Sequence, residues 1–191
     1  MKITIAVLLF LVAAAGQAQT YPSRPIRVVV PYTPGGPADL LARGMGQKLT
    51  ETWGRQIIVE NKPGANEIIA AQDIAKSPAD GYHYLLASDA VFSLNQYLYS
   101  RLPYDPAGDF TPVSRLVTAN LMLVARTDFP ASSVRALVDY ARKNPGKINY
   151  GSVGAGGVNH LAMAWFNTLN GLDMQHVAYK GLVQGLQDIM T

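Results

Sequence analysis

Short apolar runs typical of β-strands alternate with longer helical patterns along most of this chain. Residues 26–30, 57–59 and 84–87 form three such runs, and residues 38–52 and 67–76 show helical spacing between them. Parallel strands need a long crossover between them, and helices usually supply it. The sequence therefore predicts an α/β fold with parallel sheets.

The second half of the chain repeats this alternation around a glycine-rich loop. We predict helices over 133–144, 158–169 and 182–190, and strands over 148–150 and 174–178. Ser132 or Ser133 is placed to cap the first of these helices, and Pro145-Gly146 is placed to end it.

The N-terminus has the pattern of an export signal. Met1-Lys2 precedes an apolar run over 3–15, with small residues Gly16 and Ala18 at the −3 and −1 positions of a cut. The run is shorter than the roughly 20 residues of a membrane-spanning helix. The alternatives are a buried helix or a membrane anchor, but the polar residues that follow favour a cleaved signal peptide over 1–18. We therefore expect a periplasmic protein.

Composition excludes several classes of function. Charged residues make up 15% of the chain, against roughly 25% in an average domain. The net charge is +3 and the basic residues do not cluster, so no nucleic-acid partner is expected. Cysteine is absent and the three histidines lack metal-ligand spacing. We expect neither a metal nor a cofactor.

A first glycine turn joins the first strand to the first helix. Tyr32 precedes Pro34-Gly35-Gly36, and Asp39 follows it. Backbone N–H groups and the dipole of a helix that begins at such a turn attract an oxyanion. No Lys or Arg follows as in a P-loop, so a carboxylate is favoured over a phosphate. The alternative is a tight turn that Asp39 caps.

A second glycine loop, 151–157, lies between a predicted strand and a predicted helix. Its candidate binding residues are Ser152, Gly154, Gly156, Asn159 and His160. Asn159 stands where a dinucleotide fingerprint needs glycine, so a second anion nest is favoured over a nucleotide site. A serine hydrolase that uses Ser152 and His160 is an alternative, although Ser152 lacks the GxSxG elbow.

Short motifs along the chain resemble a known family in their order. They are YPSRPI (21–26), PGG (34–36) with Asp39, VENKPGA (59–65), DGY (80–82), LPYDP (102–106), DFTPV (109–113), PGKINY (145–150), HL (160–161) and HVAYKG (176–181). Together they resemble the Bug/TctC-type periplasmic substrate-binding receptors of tripartite tricarboxylate transport systems.

The resemblance implies a type II periplasmic-binding fold, in which two α/β lobes close on a ligand at the carboxyl ends of their strands. Residues 19–115 would form the first lobe and 116–191 the second, with 113–125 crossing between them. The two glycine loops would face each other across the cleft, joined by Ser88 and Tyr179.

The same resemblance implies a binding protein rather than an enzyme. Its ligand would be a small organic carboxylate, with one or two carboxylates and with amino acids included. Its partners would be the membrane components of the transporter. A sensory module that uses the same lobes is the alternative.

The chain departs from the usual family pattern at several positions. Pro37 stands where serine is common, Glu67 replaces a frequent glycine, and Asp89 makes its loop more acidic. Asp39 and Asp89 would repel a polyanion, so a mono- or dicarboxylate is favoured over a citrate-like ligand.

The pattern at the C-terminus indicates how much of a receptor this chain contains. The predicted helix 182–190 has no closing residue before Thr191, and family members continue beyond this point. We expect the chain to be the N-terminal portion of a receptor with an incomplete second lobe. Such a chain would be marginally stable alone and would bind organic acids poorly.

The export signal predicts a mature N-terminus at Gln19. N-terminal sequencing of the protein from a periplasmic extract checks this expectation. Protein that begins at Met1 in that extract would contradict it.

Overall fold

The computed structural model describes residues 20–190; the predicted signal peptide lies outside them. The elements in chain order are β1 (Ile26–Val30), α1 (Pro37–Trp53), β2 (Ile57–Asn61), a 3₁₀ turn (Ala65–Glu67), α2 (Ile68–Ala75), β3 (His83–Leu85), a π-helical turn (Ala90–Leu94), α3 (Asn95–Leu98), α4 (Val134–Lys143), β4 (Asn149–Ser152), α5 (Val158–Asn170), β5 (Gln175–Ala178) and α6 (Leu182–Met190). The predicted alternation of strands and helices is confirmed.

The first sheet has the strand order β2-β1-β3, and both strand pairs are parallel. Ile26 pairs with Ile57, and Arg27 pairs with His83. Val29 and Val30 of the central strand are fully buried, because neighbours cover β1 on both edges and helices cover its faces. Parallel pairing brings the carboxyl ends of the three strands to one edge of the sheet.

The second sheet pairs β4 and β5, also in parallel, with Asn149 opposite Gln175. Its core forms around Ala141, Ile148 and Met174, which are buried among the side chains of α4 and α5. The Ser133 hydroxyl accepts a hydrogen bond from the Ala136 N–H at 3.2 Å. Ser133 is therefore the cap of α4, as one of the two residues that the sequence offered for this role.

The predicted crossing segment has no regular secondary structure. Residues 111–128 are exposed throughout, and apolar side chains such as Val113 (77% exposed) and Met122 (84%) lie on the surface. One sheet precedes this segment and the other follows it. The lobe boundary between residues 115 and 116 stays a prediction.

Helix α1 approaches the first sheet closely at one glycine. A side-chain carbon on Gly46 would lie 3.2 Å from Ile57 Cγ2, closer than ordinary van der Waals contact. Gly44, two residues earlier on the exposed side, would meet nothing within 4 Å. The seam between α1 and β2 therefore depends on the missing side chain of Gly46.

Gly46→Val is expected to destabilise the chain by about 1–3 kcal/mol relative to Gly44→Val, because the added carbons overpack the seam. The two variants share the helix and the lost glycine, so intrinsic helix propensity is matched. Urea unfolding of both variants gives the difference. Equal unfolding midpoints would contradict this account of the seam.

Candidate functional site

The loops that follow the strands of both sheets meet each other. A side-chain carbon on Gly181, after β5, would overlap Thr33 Oγ1, after β1. A carbon on Gly157 would lie 3.4 Å from Asn66 Oδ1. The carboxyl ends of the two sheets thus face one another, and glycine on one side permits close approach to the other.

The first glycine turn is organised by Asp39. Gly35 has φ +81°, a conformation that favours glycine, and its N–H donates to Asp39 Oδ2 at 2.9 Å. Arg43 Nε donates to the same oxygen at 3.0 Å, and Asn61 Nδ2 donates to Oδ1 at 2.9 Å. Asp39 is 2% exposed. Its carboxylate is directed into the turn, as in the alternative that the sequence left open.

The electrostatics of Asp39 correct one expectation. The hydrogen bond from Arg43 and those from Gly35 and Asn61 lower the pKa of Asp39 to about 2, against the opposing effect of burial. Since Arg43 compensates its charge, the argument that Asp39 repels a polyanion is wrong. Asp89 is exposed and remains the acidic residue of the loop after β3.

Pro34 and Gly36 lie between this turn and the start of α1. Gly36 is the N-cap of α1 and no side chain caps the helix there, while Pro37 occupies its first turn. Gly36 is buried, whereas Pro34 and Pro37 are exposed. The helix start thus keeps the positive end of its dipole without a side-chain acceptor.

The hydroxyl groups of Tyr32 and Ser88 bind a side chain of the protein itself. The Tyr32 hydroxyl and the Ser88 hydroxyl each donate to Glu67 Oε1 at 2.5 Å. The Ser88 N–H donates to Glu67 Oε2 at 3.0 Å. Tyr32 and Ser88, which the sequence analysis predicts to bind the ligand, thus both bind the carboxyl of Glu67.

Burial governs the ionisation of Glu67. The residue is 5% exposed, and desolvation raises the pKa of its carboxyl although the bonds from Ser88 and Tyr32 act in the opposite direction. The nearby carboxyl also raises the pKa of the Tyr32 hydroxyl, after the larger effect of burial. The sequence identified Glu67 only as a departure from the family pattern, and did not assign it to the site.

The turn that carries Glu67 has an unusual backbone. Ala65, Asn66 and Glu67 have φ values of +47°, +49° and +71°, which side-chain-bearing residues rarely adopt. Asn95, fully buried, donates to the Asn66 carbonyl at 3.0 Å and accepts from Asn66 Nδ2 at 2.6 Å. Tertiary hydrogen bonds therefore hold a conformation that the local sequence disfavours.

In the second lobe, Ser152 pairs with a different histidine from the one that the hydrolase alternative requires. Ser152 Oγ lies 2.6 Å from His176 Nε2 and donates to the Gly154 carbonyl at 3.0 Å. His160 instead accepts from the Gly156 N–H through Nδ1 at 3.0 Å. The pairing of Ser152 with His160 is wrong, because β5 places His176 beside Ser152.

The remaining predicted residues of this lobe separate into two groups. Gly154 and Gly156 adopt φ values of +92° and +83°, and Asn159 is exposed in the first turn of α5. Tyr179 is directed elsewhere, since its hydroxyl donates to Asp188 Oδ2 on α6 at 2.8 Å. The structure therefore places Asn159 with the glycine loop and turns the Tyr179 hydroxyl towards α6.

Residues 20–190 contain neither a metal cluster nor a membrane-spanning helix. In that part of the chain, no group of three or more histidine, aspartate or glutamate side chains could hold a metal ion. No helix there is long and apolar enough to cross a membrane. An open depression at the opposite end of α1 is lined by Thr20, Pro22, Ser23, Trp53, Gly54 and Arg55.

The two stacked histidines predict a pH dependence. His160 and His176 have ring centroids 4.0 Å apart, and burial, with a smaller effect of His160, lowers the pKa of His176 below its ordinary value of 6.5. Because the folded state disfavours the charged ring, the stabilisation is complete above about pH 6.5 and is lost as the pH falls through the lowered pKa.

His176→Gln removes the titration and retains a hydrogen-bonding side chain next to Ser152. Urea unfolding at pH 7.5 and 5.5 is expected to show a smaller acid-induced loss of stability in this variant. The difference should be less than about 1 kcal/mol, since the ring is partly solvated. An equal loss in the variant and the parent chain would contradict the assignment.

The chain is similar in sequence to known proteins. A UPF0065 protein of Bordetella pertussis is 42% identical over 178 residues, which cover 93% of this chain and 55% of that protein. The chain thus spans about half the length of the curated relatives it matches.

Solved structures give the same result. A protein of R. palustris with adipate superposes with a TM-score of 0.77 at 35% identity, covering 88% of this chain and 56% of that one. MatC from Rhodopseudomonas palustris with bound malate superposes with a TM-score of 0.77 at 30% sequence identity. The match covers 88% of this chain and 57% of MatC. The periplasmic binding protein BugD superposes with a TM-score of 0.75 at 33% sequence identity. The match covers 88% of this chain and 56% of BugD.

The architecture is accordingly that of the periplasmic binding proteins, as the sequence predicted. A family model, the tripartite tricarboxylate transporter family receptor, matches residues 41–191. Parallel sheets whose loops contact each other at the carboxyl ends of their strands, with relatives of one kind in both comparisons, lead to one assignment: the chain belongs to the tripartite tricarboxylate transporter receptor family.

Proposed function

We propose that this chain serves as an extracytoplasmic receptor that captures a small organic carboxylate and delivers it to the membrane components of a tripartite transporter. The observation that carries the proposal is that two uncapped helix starts lie at the carboxyl ends of sheets whose loops contact each other, Thr33 with Gly181 and Asn66 with Gly157. Gly36 begins α1 and Gly157 begins α5, and neither helix has a side-chain cap. Ligands of open α/β sheets bind at this end of the strands.

The chemistry of these loops favours a carboxylate. Their donors are backbone N–H groups at positive helix ends, together with the Asn159 amide, so they complement a small anion without a cationic side chain. Relatives have been solved with adipate and with malate, both small organic acids. We extend this ligand class to the present chain, with mono- and dicarboxylates and amino acids included.

The serine of the second loop supports binding rather than catalysis. Ser152 is 5% exposed, and its hydroxyl donates to the Gly154 carbonyl. A nucleophilic serine has to donate to its base and expose its oxygen to the substrate. We infer that Ser152 and His176 shape the loop and that the protein is not a hydrolase.

The proposal places the protein in the periplasm. BugD is a periplasmic binding protein of closely similar structure, and residues 1–18 have the pattern of a cleaved signal peptide. A receptor exported in this way would meet its ligand outside the inner membrane.

Carboxylates at about 10 mM are expected to raise the melting temperature of the purified chain by about 1–3 °C, since ligand binding stabilises the folded state. The panel includes mono-, di- and tricarboxylates, and the matching amides are the controls. High concentrations allow weak binding to be detected. A melting temperature that no carboxylate raises above its amide would contradict the proposal.

Gly36→Val is expected to weaken binding of the best carboxylate at least about tenfold, because the side chain separates the ligand from the helix N–H groups. The fold should accept the change, since the nearest atom to a carbon on Gly36 is the Thr33 carbonyl oxygen at 3.6 Å. Gly44→Val, on the outer side of α1, is the matched control. Calorimetric affinity that is equal in both variants would remove this turn from the site.

A further inference from the structure

The carboxyl of Glu67 lies where the two lobes approach each other, and neutral donors hold it. Its hydrogen bonds come from the Tyr32 hydroxyl, the Ser88 hydroxyl and the Ser88 N–H. Tyr32 follows β1 and Ser88 follows β3, so the donors stand at the carboxyl ends of neighbouring strands. This is the place where the sheet would present donors to a ligand.

Those donors have no further protons to offer. A tyrosine or serine hydroxyl has one O–H, and a peptide has one N–H. All three are directed at Glu67, which is 5% exposed. A ligand carboxylate could use them only by displacing a carboxyl that is tethered beside them, and tethering gives Glu67 a high effective concentration.

The backbone indicates that this placement is built into the fold. Glu67 is the last of three successive residues with positive φ, a conformation that costs roughly 1–2 kcal/mol per residue that carries a side chain. Asn95, buried behind the turn, holds Asn66 through two hydrogen bonds. A strained turn that tertiary contacts maintain, carrying a buried carboxyl, is typical of a functional position.

We propose that Glu67 is a built-in occupant of a carboxylate subsite made by Tyr32 and Ser88, and that it restricts the receptor to ligands with a single carboxylate. The restriction rests on the proposed function. The occupied subsite does not, since it concerns hydrogen bonds of this chain alone. One carboxylate of the ligand remains for the helix starts at Gly36 and Gly157.

The occupied subsite is tested by removing its occupant. Glu67→Gly leaves the three donors facing a space the size of a small carboxylate, and glycine suits a φ of +71°. We expect 100 mM sodium acetate to raise the melting temperature of this variant by about 2 °C or more over 100 mM acetamide with sodium chloride. The parent chain can bind acetate only at the helix starts, so its gain from acetate should be at least about 2 °C smaller than that of the variant.

Two further variants make this result specific. Glu67→Gln fills the same space and should gain no more from acetate than the parent chain does. Ser88→Ala in the Glu67→Gly background removes one hydroxyl donor and should reduce the gain at least by half. If Glu67→Gly does not fold, Glu67→Ala provides the same comparison, because alanine also removes the carboxyl from beside the three donors and strains the backbone no more than the glutamate does.

The restriction is tested with matched acids. The parent chain should bind butyrate more tightly than succinate, and Glu67→Gly should improve succinate binding at least about tenfold relative to butyrate. An unchanged ratio overturns the restriction. If neither Glu67→Gly nor Glu67→Ala gains more stability from acetate over acetamide than the parent chain does, the occupied subsite is overturned.

The proposed receptor function and the occupied subsite can be contradicted independently. If no acid stabilises the parent chain but acetate stabilises Glu67→Gly, the proposed receptor function fails while the occupied subsite stands. If acids stabilise the parent chain but acetate stabilises neither Glu67 variant more than the parent, the proposed function is supported and the role of Glu67 is contradicted.

Discussion

Parallel pairing of β1 with both of its neighbours is the constraint on which the site depends. Because β2, β1 and β3 run in the same direction, the turns that follow them must emerge at one edge of the sheet. The pair β4 and β5 obeys the same rule in the second sheet. Once these edges face each other, loops from distant parts of the chain become neighbours, as Thr33 and Gly181 do.

The fold satisfies two carboxyls at this edge in opposite ways. Asp39 has Arg43 as a partner and the pKa of its carboxyl is lowered. Glu67 is held by neutral donors, and burial raises the pKa of its carboxyl. The first carboxylate fixes a turn and has its charge compensated. The second takes up donors that could otherwise bind an external carboxylate.

The sequence predicts the elements well and their contacts poorly. The limits of β1 and α6 agree with the predicted ranges, since a β-branched run and a clear helical period determine them locally. The helical turns over 90–98 were not predicted, because they are too short to show a period. The helix predicted from Glu67 begins at Ile68, because the three preceding residues adopt positive φ.

Contacts between strands decide the site residues, and these depend on register. His176 is 24 residues from Ser152, and the pairing of β4 with β5 brings the two together. The Tyr32, Glu67 and Ser88 cluster likewise joins three separate turns. The family pattern frequently has glycine where this chain has Glu67. Only that departure indicated from the sequence that position 67 differs from the family.

Mapping of backbone amides by NMR tests the central claim most directly. During titration of the chain with a small carboxylate, the amides of Gly36, Ala38, Gly157 and Asn159 should shift together and saturate with one affinity. The amides of 53–55, at the opposite end of α1, should not move. Shifts confined to that end, or absent from both helix starts, would contradict a carboxylate site between the lobes.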